Sequence, residues 1–232
     1  MSHEKTEPYA WPPENWDGVL EGEASAQKEV VEIAQKAASQ GSATAQYVLG
    51  TACYFGKGVA VDWKEAFEWY FKAAAQGLPH AQYNLGVMYE NGEACTQSNE
   101  KAFLWYEKAA MQGFAKAQHN LAALWETGLG TPQNAQQAAH WFEEAAKQED
   151  VRAQYRLALL LLKEEAPARQ QEGFQWLQKA LGQNFAPAKY TLGFLLEHGM
   201  VVQQNLEEAR RLYEEAALSE LPEAKAALER LK

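Results

Sequence analysis

The chain has 232 residues, enough for one ordinary domain or one elongated repeat array with a sizeable core. It is 47% hydrophobic and 22% charged, with 16 Gly and 8 Pro, which excludes a mostly disordered or collagen-like chain. With 31 acidic against 21 basic residues the formal charge is −10, a poor footprint for nucleic acid or an anionic membrane, both of which need positive charge.

Residues 1–24 read as an N-terminal extension or cap, and 25–232 as the main domain. The start carries no apolar stretch of signal-peptide length, and no run of about 18 apolar residues could span a bilayer. A soluble, cytoplasmic protein without membrane insertion is the expectation. In the extension, Tyr9, Trp11 and Trp16 are placed to cover the exposed apolar side of the first helix. The alternative is an arm that contacts a partner or a second copy.

Self-similarity dominates the main domain. Ala45-Gln46-Tyr47-Val48-Leu49-Gly50 returns at Ala81, Ala117, Ala153 and Ala188, with spacings of 36, 36, 36 and 35, and a sixth start stands at Ala224. A second block, Ala66 to Gly77 with Trp69-Tyr70 and Ala73-Ala74, recurs as Ala102 to Gly113 and continues through Trp141-Phe142, Trp176-Leu177 and Leu212-Tyr213. Both blocks place their apolar and small residues on one face at helical spacing.

Gly56, Gly92, Gly128 and Gly199 stand where the first helices should stop, because glycine takes positive φ freely. Asp62, Ser98, Asn134 and Asn205 should cap the second helices. Glu65, Lys101, Gln137 and Glu208 stand three residues on, so three of the four fit a capping box. The fourth copy, one residue shorter around 164–169, breaks this register at Arg169. Gly77 and Gly113 close second helices. The small residues allow close helix approach, and the Trp69 column fills the space between successive pairs. The fold class is all-α: a curved α/α superhelix of about five helix-turn-helix repeats flanked by single capping helices, the last at 224–232.

The second copy, Ala81, Leu85, Gly86, Tyr89, Gly92, Lys101, Ala102, Trp105, Tyr106, Lys108, Ala109, Ala110, Gln112 and Gly113, resembles the Sel-1-like repeat family, a relative of the tetratricopeptide repeat. The resemblance extends from a lone second-type helix (Ile33, Ala37, Ala38, Gly41) through the first-type helix at Ala224, and the later copies drift, with Ala122 and Ala158 at the Gly position. It implies a scaffold or adaptor that binds proteins or peptides on an inner, concave wall lined by first helices. A cysteine-rich branch of the family is linked to β-lactam binding. This chain lacks that branch's cysteine pair in each repeat, and the activity is not carried over.

Opposite the core face of each first helix stands a column of Tyr47, Tyr83, His119, Tyr155 and Tyr190, with Asn84, Asn120 and Arg156 one residue on. Two readings stay open for the aromatics: groove contact with a partner, or wedges between adjacent first helices. Asn84 and Asn120 suit binding, since an amide pairs with a peptide's N–H and C=O together. Lys116, Arg152 and Arg156, near helix N-termini with His80, would favour an acidic or carboxylate-bearing partner segment.

No HExxH, GxSxG or phosphate loop occurs, and the five His have no second ligand at metal spacing. No catalytic residue, metal or cofactor is expected. Cys53 and Cys95 show no paired spacing and are not expected to bridge; Cys53 reads as a small buried residue. Two functions fit these features: an interaction scaffold for a protein or peptide, or a dedicated inhibitor or immunity-type protein that occludes one toxin or enzyme. Oligomeric state is left open.

Overall fold

The computed structural model describes Leu20 and residues 23–231. Among these are twelve helices and no strand. They are α1 (Ala24–Ser39), α2 (Ala43–Phe55), α3 (Trp63–Ala75), α4 (Pro79–Asn91), α5 (Asn99–Ala110), α6 (Ala115–Thr127), α7 (Ala135–Lys147), α8 (Val151–Leu162), α9 (Pro167–Gly182), α10 (Ala186–His198), α11 (Leu206–Ala217) and α12 (Pro222–Arg230). Five first-helix/second-helix pairs run from α2 to α11, with α1 and α12 as the single flanking helices. The fold is an α/α repeat array of the solenoid class. The extension's aromatics, Tyr9 to Trp16, lie outside the described residues.

By contacts the chain divides into two compact units. One takes in residues up to Ala117 with Leu129–Pro132, and the other takes in Gln118–Gly128 with Gln133–Lys232.

In the first unit each of α1 to α5 packs on its neighbours in sequence. Side-chain oxygens hold the helix starts: Ser42 accepts from Ala45 N, Asp62 from Lys64 N and Glu65 N, and Ser98 from Lys101 N. Gly56 and Gly92 end α2 and α4 in the left-handed region, at φ 70° and 73°. The capping boxes form by half. Glu65 does not reach back to the cap but accepts from Trp69 Nε1 at 3.2 Å, since an exposed helix side chain finds its partner one turn on.

Two clusters make this unit's core. Leu20, Val31, Ala34, Ala38, Ala45, Val48, Leu49 and Ala52 form one; Tyr47, Cys53, Ala66, Tyr70, Ala73, Ala74, Ala81, Leu85 and Met88 form the other. Trp69 packs against both, the bridging place its column implied. Burying a side chain such as Leu85 completely contributes about 1.5–3 kcal/mol. A polar ladder accompanies the apolar one. Buried Gln46 and Gln82 accept from Gln76 and Gln112, each at 2.8 Å, while their own amides donate to the carbonyls of Ala38 and Ala74.

The second unit repeats the plan. Asn134, Asp150 and Asn205 cap α7, α8 and α11, and Gly199 ends α10 at φ 64°. Gln118 and Gln154 continue the ladder with Gln148 at 2.8 Å and Gln183 at 3.0 Å. The shortened fourth loop has a structural consequence. The helix starts early at Pro167, behind Ala166, which has no capping side chain, and runs for 16 residues. Arg169 falls in its first turn, paired with Glu164 and Glu172. After the second helices, Gly41, Gly77 and Gly113 take φ 93°, 94° and 84°, and Glu149, Asn184 and Glu220 hold the same left-handed position at 66°, 57° and 59°. Among the described residues no helix is long and apolar enough to cross a membrane.

Candidate functional site

In the first unit the aromatic column serves packing first. Tyr47 is 9% exposed, its ring 5.7 Å from Tyr70 and 5.8 Å from His80. Tyr83 meets Tyr106 at 5.7 Å and Phe114 at 5.4 Å. Each tyrosine thus wedges between its own second helix and the entry to the next first helix. That placement fits the packing alternative most fully at Tyr47. Tyr83 is only half-buried, and it borders an open-sided pocket.

That pocket, of about 160 Å³, is lined by Tyr54, Phe55, Tyr70, Tyr83, Asn84, Val87 and Met88. The C-terminal end of α2 supplies two of these residues, α3 one, and one face of α4 the rest. Asn84 is half-buried on this wall, and the neighbouring Tyr70 hydroxyl donates to Thr51 Oγ1 at 3.1 Å. Burial drives the Tyr70 hydroxyl well above the usual phenol range. Tyr54 Oη donates to Glu93 Oε2 at 2.8 Å, and burial, then that carboxylate, pushes its ionisation up to about 12. Glu90 Oε2 accepts from Tyr106 at 2.6 Å. Phe55 is 60% exposed, with the Lys57 ammonium 5.8 Å from its ring centre. Lys116 lies exposed in the first turn of α6.

The second unit places its own members of the column. His119 packs on Phe142 at 5.5 Å, Tyr155 on Phe185 at 5.4 Å and Tyr190 on Tyr213 at 5.5 Å. The Tyr155 and Thr191 hydroxyls lie 3.2 Å apart. Asn120 is half-buried and Arg152 is exposed. The basic character expected here is compensated at one position. Arg156 forms an ion pair with Glu126, and His119 Nδ1 lies 3.5 Å from Asp150 Oδ1. Burial alone would raise the Asp150 carboxyl, but the adjacent His119 ring and the hydrogen bond from the Ala153 N–H hold it below its ordinary range. An acidic side chain from a neighbouring helix thus occupies one of the positive groups assigned to a ligand, Arg156.

Sequence reasoning missed Tyr54, Phe55, Met88 and Glu93 at the pocket, and Asp150 as a helix cap. Phe114 and Phe185 had a readable signal, a large apolar residue just before a first helix. Tyr54 and Phe55 interrupt the repeat pattern and had none. Among the described residues no three His, Cys, Asp or Glu gather where they could hold a metal ion. Both thiols are free; burial pushes the Cys53 thiol up to about 12, and half-buried Cys95 donates to the Met88 carbonyl at 3.5 Å.

Five copies of the Sel1 repeat are recognised, over residues 43–78, 79–114, 115–150, 151–185 and 186–220. Among solved structures, the chain is similar to a protective antigen present in uropathogenic Escherichia coli strains and displaying an SLR fold. Identity is 32% and the TM-score 0.82, over 87% of this chain and 44% of that one, so the chain spans less than half of that protein's length. A Sel1 repeat protein from Oxalobacter formigenes matches at 27% identity and a TM-score of 0.81, over 94% of this chain and 87% of its own. No curated protein matches. With every repeat boundary falling between a second helix and the next first helix, the chain belongs to the Sel1 repeat family, whose repeats generally mediate protein–protein interaction.

Proposed function

We propose that this protein is a non-enzymatic scaffold that holds a protein or peptide segment against its first helices. The pocket between α2 and α4 carries the reading, because it joins apolar surface, ring faces and an amide in one open cleft. Tyr83 and Asn84 contribute to it directly, and Tyr47 braces it from behind. In the second unit Asn120, Arg152, Tyr155 and Tyr190 offer a partner the same mixture of flat aromatic surface and hydrogen-bonding groups. Lys116 and Arg156 would add charged contacts, Arg156 by exchanging with Glu126, and His119 would add a ring face. Such surfaces suit an extended peptide or a docked helix.

Affinity capture from native lysate with the wild type and with Phe55→Ala/Val87→Arg tests this. Both positions line the pocket, and Phe55 contributes little to the core. The expected result is a reproducible partner set lost from the variant at unchanged thermal midpoint. Equal capture by both proteins, or nothing above an unrelated control, overturns it. One tight partner would match an inhibitor or immunity role, and several would match an adaptor.

A further inference from the structure

We infer that the pocket of α2 and α4 takes a cationic side chain of the partner, the ammonium of a lysine or the guanidinium of an arginine. This inference rests on that pocket being the docking site proposed above. Three independent features converge on it.

The first is the wall itself. Tyr54, Phe55 and Tyr83, together with the buried Tyr70, line a space of about 160 Å³ with aromatic residues. Ring faces carry negative quadrupole density and attract a cation lying within about 6 Å of the centroid. The outer side of Phe55 already does this with Lys57, at 5.8 Å.

The second is fixed negative charge. Glu93 accepts from the hydroxyl of the lining residue Tyr54 at 2.8 Å and from Asn91 Nδ2 at 3.1 Å. Glu90 is held by Tyr106, whose ring lies 5.7 Å from that of Tyr83. Both carboxylates are half-buried, and both are positioned by neutral donors. Their charge is therefore not cancelled by those bonds. The third is the backbone. Tyr54 and Phe55 are the last residues of α2, so the negative end of that helix dipole lies at the pocket.

An acidic ligand side chain meets the opposite field here. The Tyr54 hydroxyl that could have served it is spent on Glu93, and two carboxylates repel it. A purely aliphatic side chain would gain from the rings and Met88 but nothing from the charge. A long basic side chain uses both: its methylenes lie along the rings and its head meets the carboxylates.

The test uses the full-length protein, isotope-labelled for NMR and titrated separately with N-acetyl-arginine amide, N-acetyl-norleucine amide and N-acetyl-glutamate amide. The arginine probe should give saturable shifts at Tyr54, Phe55 and Tyr83, with norleucine about fivefold weaker and glutamate without effect. Glu93→Gln keeps an acceptor for Tyr54 but removes the charge. It should weaken the arginine probe about three- to fivefold, as should Phe55→Ala, at unchanged thermal midpoints. Norleucine or glutamate binding as tightly as arginine overturns the inference. So does arginine binding that ignores Glu93→Gln, or the absence of any saturable shift. If the partner from lysate is lost with Phe55→Ala/Val87→Arg yet binds Glu93→Gln as tightly as the wild type, the scaffold reading stands and the cationic one falls. If capture ignores the pocket altogether, the scaffold reading falls whatever the probes do.

Discussion

The ring of Tyr70 occupies the space where a side chain on Gly50 would begin: a Cβ there would lie 2.6 Å from Tyr70 Cδ1. The same pairing recurs at Gly86 with Tyr106 and at Gly193 with Tyr213. Where the phenol becomes Phe142 or Leu177, the glycine position becomes Ala122 or Ala158, and each pair shares a core cluster. The far end of the ring follows a pattern in the later copies, whereas Tyr70 donates to Thr51. Tyr106 and Tyr213 donate to Glu90 and Glu197, the matching Glu126 turns to Arg156 where Phe142 offers no hydroxyl, and Leu162 stands opposite Leu177. The drift among repeats is therefore correlated drift.

Replacing Gly50 by Ala sets two effects against each other. Helix propensity favours Ala by about 1 kcal/mol, while forcing a methyl into a filled space costs about 1–3 kcal/mol. Net destabilisation is expected, seen as a lower urea midpoint. Combining Gly50→Ala with Tyr70→Leu, the combination found at Ala158 and Leu177, should cost at least about 0.5 kcal/mol less than the two single changes added together. Strict additivity would contradict the steric pairing.

The glutamine ladder should matter to stability more than its polar character suggests. Gln82 is 5% exposed, accepts from Gln112 and donates to the Ala74 carbonyl. Gln82→Ala removes two hydrogen bonds of about 0.5–1.5 kcal/mol each, for a loss of about 1–3 kcal/mol by chemical denaturation. Gln112→Ala removes an exposed donor and should cost clearly less.

Glu149 holds a left-handed conformation at φ 66°, a position filled by glycine in the two earlier repeats and after the flanking helix α1. An L-residue other than glycine pays roughly 1–2 kcal/mol there. Its side chain is exposed, and the bond it accepts from Gln183 goes to its backbone carbonyl. Glu149→Gly should therefore raise the thermal midpoint, opposite to the usual effect of adding glycine. A lower midpoint would show that flexibility gained by the unfolded chain outweighs the relieved strain.

Glu197 gives the second unit a pH dependence. Burial on its own would raise this carboxyl, but hydrogen bonds from Tyr213 and Arg230, together with the Arg230 charge, hold it below its ordinary value of 4.5. A carboxylate with a depressed folded-state pKa binds protons more readily when unfolded. Its contribution is thus fully present above about pH 4.5 and is lost as pH falls through the lower folded value. Arg230→Met should lower the urea midpoint at pH 7, with the gap to the wild type closing toward pH 3. A gap independent of pH would show that Arg230 acts through packing alone.

Repeat register, helix starts at Asp62, Ser98, Asn134 and Asn205, and stops at Gly56, Gly92, Gly128 and Gly199 were all legible in the sequence. Each rests on chemistry within a few residues: a side-chain oxygen reaching a nearby N–H, or a glycine taking positive φ. The site was legible only in part. Tyr83 and Asn84 were found because they fall in repeating columns, but Tyr54, Phe55 and Glu93 occur once and obey no period.

By itself the sequence determined the family, the helix pairs and the faces that pack together, because a repeat states its local rules several times over. What only the tertiary structure decided is how charges and rings are paired between neighbouring helices. Arg156 was read as open to a ligand and is bound to Glu126, 30 residues away; the Tyr83 ring, for which groove contact was one reading, packs on Tyr106 and Phe114. Those pairings depend on which side chains of successive helices come within contact distance. That distance is set by the stacking of one hairpin on the next, which no single stretch of sequence encodes.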